Sequence, residues 1–417
     1  ACGPAGNASS GGGETASAGP SSITPDRPVL HPTQAPVRPG LEVLLTDSSH
    51  LVQGKRVGLV TNHTAIDRGR VHAIDRLVET PGVELVALFS PEHGIRGEEL
   101  GGVDIEGDID QPTGLIIHSL YLEKNRKPTP EMLEGIDALL FDIQDVGARY
   151  YTYLSTMARA MEAAGESGIP FFVLDRPNPI GGTAVQGNVL DPAFSSFVGL
   201  FPVPMRHGMT PGEMARMYVG EFGIQVDLHV IPLDGWKRDM LFSETGLPWV
   251  PPSPNMPSLE SALHYPGMCL FDASNISVGR GTGRAFQVLG APWLDAEVLA
   301  AVAQSHQIPG VRFEPVSFTP LDSEYGKYTG QEVDGVRLTY QGPDYDPTLT
   351  ALILLREIIR LSGDRWEFRA EQFDGLAGTD ELRKGLEAGY SLALLMDGWD
   401  EDLEAFRQLR SEYLIYE

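Results

Sequence analysis

The sequence has little cysteine, no long hydrophobic run and a shortage of positive charge. Two cysteines, Cys2 and Cys269, are too few for a disulfide framework, and Cys269 is predicted to be a buried thiol. No apolar run approaches the length of a membrane-spanning helix, so any membrane attachment needs another origin. Lysine and arginine number 31 against 57 aspartates and glutamates, a formal charge of −26. This balance argues against nucleic acid or anionic lipid as a partner, because phosphate binding needs clustered cations.

Nucleotide and metal motifs are also missing. No loop has the spacing of a dinucleotide fingerprint or a P-loop, so we expect neither a nicotinamide nor an ATP cofactor. His63, His93 and His207 are candidate metal ligands, but no HExxH motif or other close ligand spacing appears. The prediction is therefore a carboxylate site without metal or cofactor.

Residues 1–40 are rich in glycine, serine, alanine and proline. The start, Ala1-Cys2-Gly3, resembles that of a bacterial lipoprotein whose signal peptide is missing. Lipid on Cys2 would then attach the protein to a membrane through a flexible tether, which predicts a place in the cell envelope, in the periplasm or on the outer surface. The alternative is a disordered tail in which Cys2 has no role.

From Leu41 onward, strand and helix signals alternate. This order is typical of right-handed crossovers and a mostly parallel sheet. We predict an α/β fold, with a Rossmann-like sheet flanked by helices over residues 41–290 and a smaller α/β domain over residues 291–417 that closes the cleft. Predicted strands cover residues 56–61, 83–89, 114–119, 138–142, 171–175, 226–232, 267–271, 311–319 and 333–340. Predicted helices cover residues 71–79, 129–135, 151–164, 210–221, 295–304, 347–361, 379–388 and 399–413.

Polar side chains follow four of the predicted strands. The carboxyl ends of parallel strands meet at one edge of a sheet, where ligands bind, so these side chains are expected to converge. They are Asn62, His63, Glu92, His93, Arg96, Asp142, Gln144, Asp145, Arg149, Tyr150, Asp175, Arg176 and Asn178.

Glu92, Asp142 and Asp145 are the predicted catalytic carboxylates. Glu92 follows an apolar strand in a tight turn with His93 and Gly94, where a carboxyl can act as a general acid or can instead cap the loop by accepting backbone N–H bonds. Asp142 and Asp145 can also brace the adjacent loop or pair with an arginine.

Arg176 and Arg280 are candidate clamps for a substrate carboxylate, because a planar guanidinium offers paired donors to two oxygens. Either can instead pair inside the fold, with Asp175 or with Asp272. The glycines around Arg280 are best explained by a loop that needs positive φ rather than by phosphate binding.

The motifs together resemble a known family, the exo-β-N-acetylmuramidases of peptidoglycan recycling. The matching stretches are TNHTA at 61–65, SPEHGIRG at 90–97, SLY at 119–121, FDIQDVGARYYTY at 141–153, LDRPNPIGG at 174–182, RHGMTPGEMA at 206–215, PSPNMP at 252–257, GRGT at 279–282 and GAPW at 290–293. The resemblance covers about residues 41–416. Where the family usually has a glutamate, this chain has Asp272.

The resemblance implies hydrolysis of the terminal, non-reducing N-acetylmuramic acid of β-1,4-linked saccharides without a cofactor, at a cleft between a Rossmann-like domain and a smaller α/β domain. It implies that Glu92 is the catalytic carboxylate, and the matching motifs add His207, Ser253, Asn255, Asn275 and Arg280 as substrate contacts. Two alternatives stay open from the residues alone: a metal-dependent hydrolase of another envelope substrate, and a non-catalytic lipoprotein that binds muropeptides.

Overall fold

A computed structural model describes residues 36–95, 108–121, 126–321 and 326–417. Arg96 and the stretch around Cys2, both named above, lie outside the described residues. Within these ranges the strands are β1 Arg56–Thr61, β2 Glu84–Ser90, β3 Asp108–Asp110, β4 Leu115–Ser119, β5 Ala138–Asp142, β6 Phe171–Leu174, β7 Gln186–Val189, β8 Pro204–Arg206, β9 Leu228–Ile231, β10 Val288–Ala291, β11 Val311–Phe318 and β12 Val333–Tyr340. The helices are α1 Gly40–Asp47, α2 Ala73–Val78, α3 Tyr153–Glu166, α4 Pro211–Gly220, α5 Leu259–Met268, α6 Ala296–Ser305, α7 Pro347–Ser362, α8 Ala370–Ala377, α9 Glu381–Glu387, α10 Leu392–Leu395 and α11 Trp399–Ser411.

The main sheet of the described chain has seven strands in the order β3-β4-β2-β1-β5-β6-β9. All neighbours are parallel except β3, which runs antiparallel to β4 at the edge. The strand order reverses between β1 and β5, and the usual ligand position in such sheets is a crevice at the carboxyl ends of the strands at this point. The predicted Rossmann-like fold class is confirmed.

The central strands of this sheet are buried as their apolar sequences predict. β5 is buried at every position, and β1 is buried at all but its first residue, as expected of strands covered by helices on both faces. α4 begins where predicted, because Thr210 and Glu213 form a reciprocal capping box and Pro211 occupies the first turn.

A second sheet, in the order β10-β12-β11, is antiparallel and lies in the second half of the chain. One apolar cluster extends from Phe141 and Met157 through Phe271 to Val336 and Leu352. The predicted domain boundary after residue 290 falls inside β10, and it stays a prediction.

Two predicted elements are wrong. Residues 267–271 are not a strand, because α5 runs to Met268 and a 3₁₀ turn, Cys269–Ala273, continues from it. A short apolar run of this kind does not distinguish a buried strand from a buried helix. Gly267 is required by packing, since a Cβ atom there would lie 1.8 Å from the carbonyl oxygen of Pro347. Residues 129–135 form successive turns rather than a helix.

No helix in the described ranges is long and apolar enough to cross a membrane.

Candidate active site

An open cavity of about 240 Å³ lies at the carboxyl ends of β2, β4 and β5. This volume is just below the roughly 300–1,000 Å³ of typical small-molecule sites. Six of the predicted site residues line it: Glu92, His93, Tyr150, Ser253, Asn255 and Arg280. Tyr151 lines the same cavity, as does a group that the sequence-based site prediction missed: Tyr121, Thr152, Val198, Met256, Tyr265, Cys269, Asp272, Phe286, Gln372 and Leu376.

Glu92 lies in a tight turn immediately after β2. The amide of Gly94 donates to the carbonyl of Pro91, and His93 adopts a φ of +71°, a left-handed conformation that costs energy for a non-glycine residue. The turn directs Glu92 into the cavity, where its carboxyl is half-buried and accepts a hydrogen bond from the Thr152 hydroxyl at 2.5 Å. Thr152 is the residue before α3, so β2 and α3 together fix the orientation of this carboxyl.

Asp272 also lines the cavity, and Arg280 holds it. The Nε of Arg280 donates to both Asp272 oxygens at 3.1 and 3.0 Å, and Nη2 donates to Oδ2 at 2.5 Å. The guanidinium of Arg280 also lies 5.1 Å from the centre of the Phe286 ring. Nε and Nη2 of Arg280 are thus engaged by Asp272, which is the internal pairing rather than the substrate clamp.

The proline-rich loop that carries Ser253 and Asn255 is fixed by two side chains from the sheet edge. The ring of His63 donates through Nε2 to the carbonyl of Pro251 at 2.7 Å, and the hydroxyl of Tyr153 donates to the carbonyl of Pro252 at 2.5 Å. Burial lowers the pKa of His63, which keeps the ring neutral. His63 therefore positions the loop from behind, whereas Ser253 and Asn255 line the cavity.

Aromatic rings form much of the remaining wall. Tyr150 and Tyr151 pack edge-to-face against Tyr265, which packs in turn against Phe286. Cys269 lies beside them, and burial raises the pKa of its thiol to about 12, so it stays protonated and is a poor nucleophile. The wall offers rings and hydroxyls, which suit a sugar.

Four predicted site residues instead form a set that we call the bracing network: Asp142, Asp175, Arg176 and Asn178. Arg176 donates to the two oxygens of Asp142 at 2.5 and 3.2 Å and to the carbonyl of Ile66 at 3.0 Å. Asp142 is fully buried and Arg176 is 4% exposed, and neither lines the cavity. The prediction of Asp142 as a catalytic carboxylate and of Arg176 as a substrate clamp is corrected accordingly, because each is enclosed and occupied by the other.

Asp175 and Asn178 brace the chain around α4. Asp175 accepts from the hydroxyls of Thr210 and Tyr416 at 2.7 and 2.5 Å and from the amide of Gly212 at 2.7 Å. Asn178 donates to the carbonyl of Met209 at 3.0 Å and accepts from the amide of Ile180. Both are buried away from the cavity, so their predicted substrate contacts are not supported.

Five more predicted contacts bond to the fold itself. Asn62 accepts from Thr64, Gln144 donates to the carbonyls of Asp145 and Pro177, and His207 accepts from the amide of Met209. Asn275 bonds to Arg365 and Glu367. Arg149 donates to four carbonyls, those of Asn188, Val203, Leu376 and Ala377. Arg149 still bears on the cavity, because it anchors the end of α8, which carries Gln372 and Leu376.

Asp145, the third predicted catalytic carboxylate, lies behind the cavity wall. Its Oδ2 accepts from the amide of Gly147 at 2.7 Å, while Oδ1 is buried without a hydrogen-bond partner in the structure. Burial raises its pKa to about 7, so a neutral carboxylic acid is readily populated at this position. With only 3% of the residue exposed, direct contact with a substrate is not supported.

A metal site would need several ligand side chains within reach of one ion. Across residues 36–95, 108–121, 126–321 and 326–417, no three or more histidine, cysteine, aspartate or glutamate side chains lie close enough together to hold an ion.

Comparison with known proteins identifies the family. The chain matches the models described as "Exo-beta-N-acetylmuramidase NamZ", N-terminal over residues 57–260 and C-terminal over residues 263–416. It is 43% identical over 397 residues to the peptidoglycan β-N-acetylmuramidase NamZ of Bacillus subtilis (strain 168), covering 95% of each chain.

Two solved structures of DUF1343 family proteins from Bacteroides fragilis NCTC 9343 have the same fold. One is 38% identical with a TM-score of 0.86 and covers 91% of this chain and 99% of its own. The other is 34% identical with a TM-score of 0.74 and covers 92% and 99%, respectively. These matches confirm the resemblance that the motifs indicated. The chain belongs to the exo-β-N-acetylmuramidase NamZ family.

Proposed function

We propose that the chain is an exo-acting glycoside hydrolase that releases N-acetylmuramic acid from the non-reducing end of β-1,4-linked peptidoglycan fragments. The name of the B. subtilis relative and the descriptions of both family models support this reaction. The observation that carries the proposal is the position of Glu92, whose carboxyl lines the cavity and is held by Thr152.

Glu92 acts as the general acid in this proposal. Glycoside cleavage needs a proton on the oxygen of the leaving group, and a carboxyl held at the cavity wall supplies it. The Thr152 hydroxyl binds Oε2 and restricts rotation of the carboxyl, so the proton is presented in one direction. In a retaining reaction the same carboxylate then accepts a proton from the attacking water, whereas in an inverting reaction Asp272 accepts it.

Asp272 is the second carboxylate in this proposal. The transition state carries positive charge on the sugar ring, and a nearby carboxylate stabilises that charge. Its two oxygens accept from Arg280, which holds the group in one orientation. Asp272 acts on the sugar directly as a nucleophile, through a water, or through the substrate acetamido group, and the anomer first released distinguishes retention from inversion.

The decisive variant is Glu92→Gln, which preserves shape and removes the transferable proton. We expect it to abolish release of N-acetylmuramic acid from a β-linked chromogenic glycoside while the thermal unfolding temperature stays unchanged. Glu84→Gln is the matched control, since Glu84 is exposed at the opposite end of β2. Near-normal turnover by Glu92→Gln would refute the assignment.

The two rivals make different predictions. A metal-dependent hydrolase would lose activity to a chelator and regain it with a divalent ion. A non-catalytic binder of muropeptides would bind its ligand saturably and release no reducing sugar. Either result with the wild-type protein would replace the glycosidase proposal.

Localisation and domain division complete the proposal. The substrate lies in the cell envelope, and Cys2 within a stretch rich in glycine, serine and proline is suited to carry a lipid there. Labelling of intact cells with a fatty-acid analogue should mark the wild-type protein and not Cys2→Ala.

We also propose that residues 291–417 form the smaller domain that closes the cleft. Limited proteolysis with and without product would test this division.

A further inference from the structure

Arg126 packs against Tyr121, a residue of the cavity wall, although it does not line the cavity itself. The guanidinium carbon of Arg126 is 4.7 Å from the centre of the Tyr121 ring and 4.3 Å from the centre of the Phe197 ring. The two rings are 6.0 Å apart and inclined at 59°. Tyr121 lines the cavity, and so does Val198, the neighbour of Phe197. Arg126 thus joins two separate segments that both form the cavity wall.

The residue after Arg126 is anchored to α3. Lys127 pairs with Glu162 at 3.6 Å and with Glu166 at 2.7 Å, both on α3. The side chain of Lys127 therefore points to the helix, while that of its neighbour Arg126 packs against the two rings.

The stacked cation has unused donors. Because the ring centres are only 6.0 Å apart, the two rings lie on adjacent rather than opposite sides of the guanidinium, and N–H groups in its plane stay available for a partner. In the part of the chain that the structure describes, no carboxylate or carbonyl accepts from Arg126, although its side chain is only half-exposed. The arginines at the site differ, because Arg280 is bound by Asp272, Arg176 by Asp142 and Arg149 by four carbonyls.

We propose that Arg126 binds the carboxylate of the substrate, an inference that rests on the glycosidase function proposed above. A rigid, aromatic-backed guanidinium presents paired N–H donors to two oxygens, and this arrangement recognises a carboxylate better than a sugar hydroxyl. In a chain with a formal charge of −26, an anionic substrate needs such a local cation. The carboxylate belongs either to the lactyl group of N-acetylmuramic acid or to a peptide attached to it.

The test compares Arg126→Ala with wild type on three β-linked chromogenic muramides: the free acid, its lactyl methylamide and a peptide-substituted form. We expect kcat/KM to fall about ten- to a hundredfold, mainly through KM, on a substrate with the recognised carboxylate, since a hydrogen bond to a charged group is of that magnitude. The methylamide should be turned over equally by both proteins. Loss on the free acid identifies the lactyl group, and loss on the peptide form alone identifies the peptide.

Controls separate charge, stacking and folding. Lys127→Ala removes the adjacent positive charge and should leave all three substrates unaffected. Arg126→Lys keeps the charge but not the planar fork, and should retain part of the discrimination. Thermal unfolding of each variant shows whether it folds, and Arg126→Gln replaces the alanine variant if that one does not.

Two outcomes overturn the inference: equal losses on the acid and the methylamide, or no loss on any of the carboxylate-bearing substrates. If the wild-type protein releases no N-acetylmuramic acid at all, the proposed function fails instead. Calorimetric binding of N-acetylmuramic acid and N-acetylglucosamine to wild type and Arg126→Ala then decides on Arg126, because selective loss of the acid ligand supports it and equal binding refutes it.

Discussion

The bracing network and the cavity wall both lie at the carboxyl edge of the main sheet, and they differ in how their polar groups are satisfied. In the network, every carboxylate faces donors from the fold, as with Asp142 and Arg176 or Asp175 and Thr210. At the wall, Glu92 is fixed by Thr152 and still faces the cavity. A polar residue after a buried strand therefore either braces the fold or lines the cavity, and its position relative to the cavity distinguishes the two roles.

The largest effect expected from the network follows loss of Arg176. Arg176→Ala leaves the Asp142 carboxylate buried without its partner, which typically costs about 3–5 kcal/mol of unfolding free energy. Urea denaturation measures that loss, while kcat of the folded fraction should stay near the wild-type value. The double variant Asp142→Asn/Arg176→Gln is the control, because removing both charges should recover much of the stability. Normal stability with lost turnover would move Arg176 into the site.

Asp145 belongs neither to the bracing network nor to the cavity wall. The pH dependence of the unfolding free energy tests the state of its buried carboxyl. Burial raises its folded-state pKa to about 7 from the ordinary 3.8. Between about pH 4 and pH 7 the unfolded state loses this proton while the folded state keeps it, so the contribution to stability is full at acid pH and falls as pH rises through that window. At 1.36 kcal/mol per pKa unit, the effect is at most about 4 kcal/mol.

Asp145→Asn should therefore lose less stability than wild type between pH 4 and pH 7, in urea denaturation at each pH. The orphaned Oδ1 position tolerates an amide, because no donor of the described fold points at it. Parallel stability curves for the two proteins would contradict the raised pKa. A large fall in kcat would show that Asp145 acts in the reaction after all.

Thr152 should show the opposite behaviour, with a change in activity and little change in stability. Thr152→Val keeps the shape and removes the hydrogen bond to Glu92, so kcat/KM should fall about ten- to a hundredfold. The pH profile of kcat/KM should shift as well, which a purely structural role would not cause. Thr152→Ser restores a hydroxyl and should recover most of the activity. Unshifted pH dependence in Thr152→Val would argue against a positioning role.

Local signals predicted much of the fold. β1, β5 and β12 have the predicted bounds because continuous or alternating apolar runs between turn residues suffice to define them. The α5 segment was misassigned because its helix depends on burial against α7, where Gly267 permits close approach to Pro347. That contact joins residues far apart in the chain, and no local pattern encodes it.

The candidate site, like the fold, was predictable where the signal in the sequence is local. Glu92 was found because a turn after a strand marks it locally. Thr152 stands in the polar and aromatic stretch after β5, but its bond to Glu92 spans distant segments. No sequence pattern marks Gln372 and Leu376 as site residues. They lie on α8, and the hydrogen bonds of Arg149 to the end of that helix hold it at the cavity. Conversely, a sequence does not reveal that Arg176 is already occupied by Asp142.

The smallest expected effect concerns the far end of the bracing network. Tyr416 donates to Asp175 at 2.5 Å and accepts from the amide of Leu233 at 2.9 Å, which fastens the last residues of the chain to the sheet. Tyr416→Phe should lower the unfolding free energy by about 1–2 kcal/mol, because it leaves two buried groups with one bond fewer. Tyr413→Phe is the matched control and should change it less, as its ring lies on the outer side of α4 near Gly220. Activity should be unchanged in both, since the bonds of Tyr416 lie in the network and not at the cavity wall; a fall in kcat for Tyr416→Phe alone would show that the two regions are coupled.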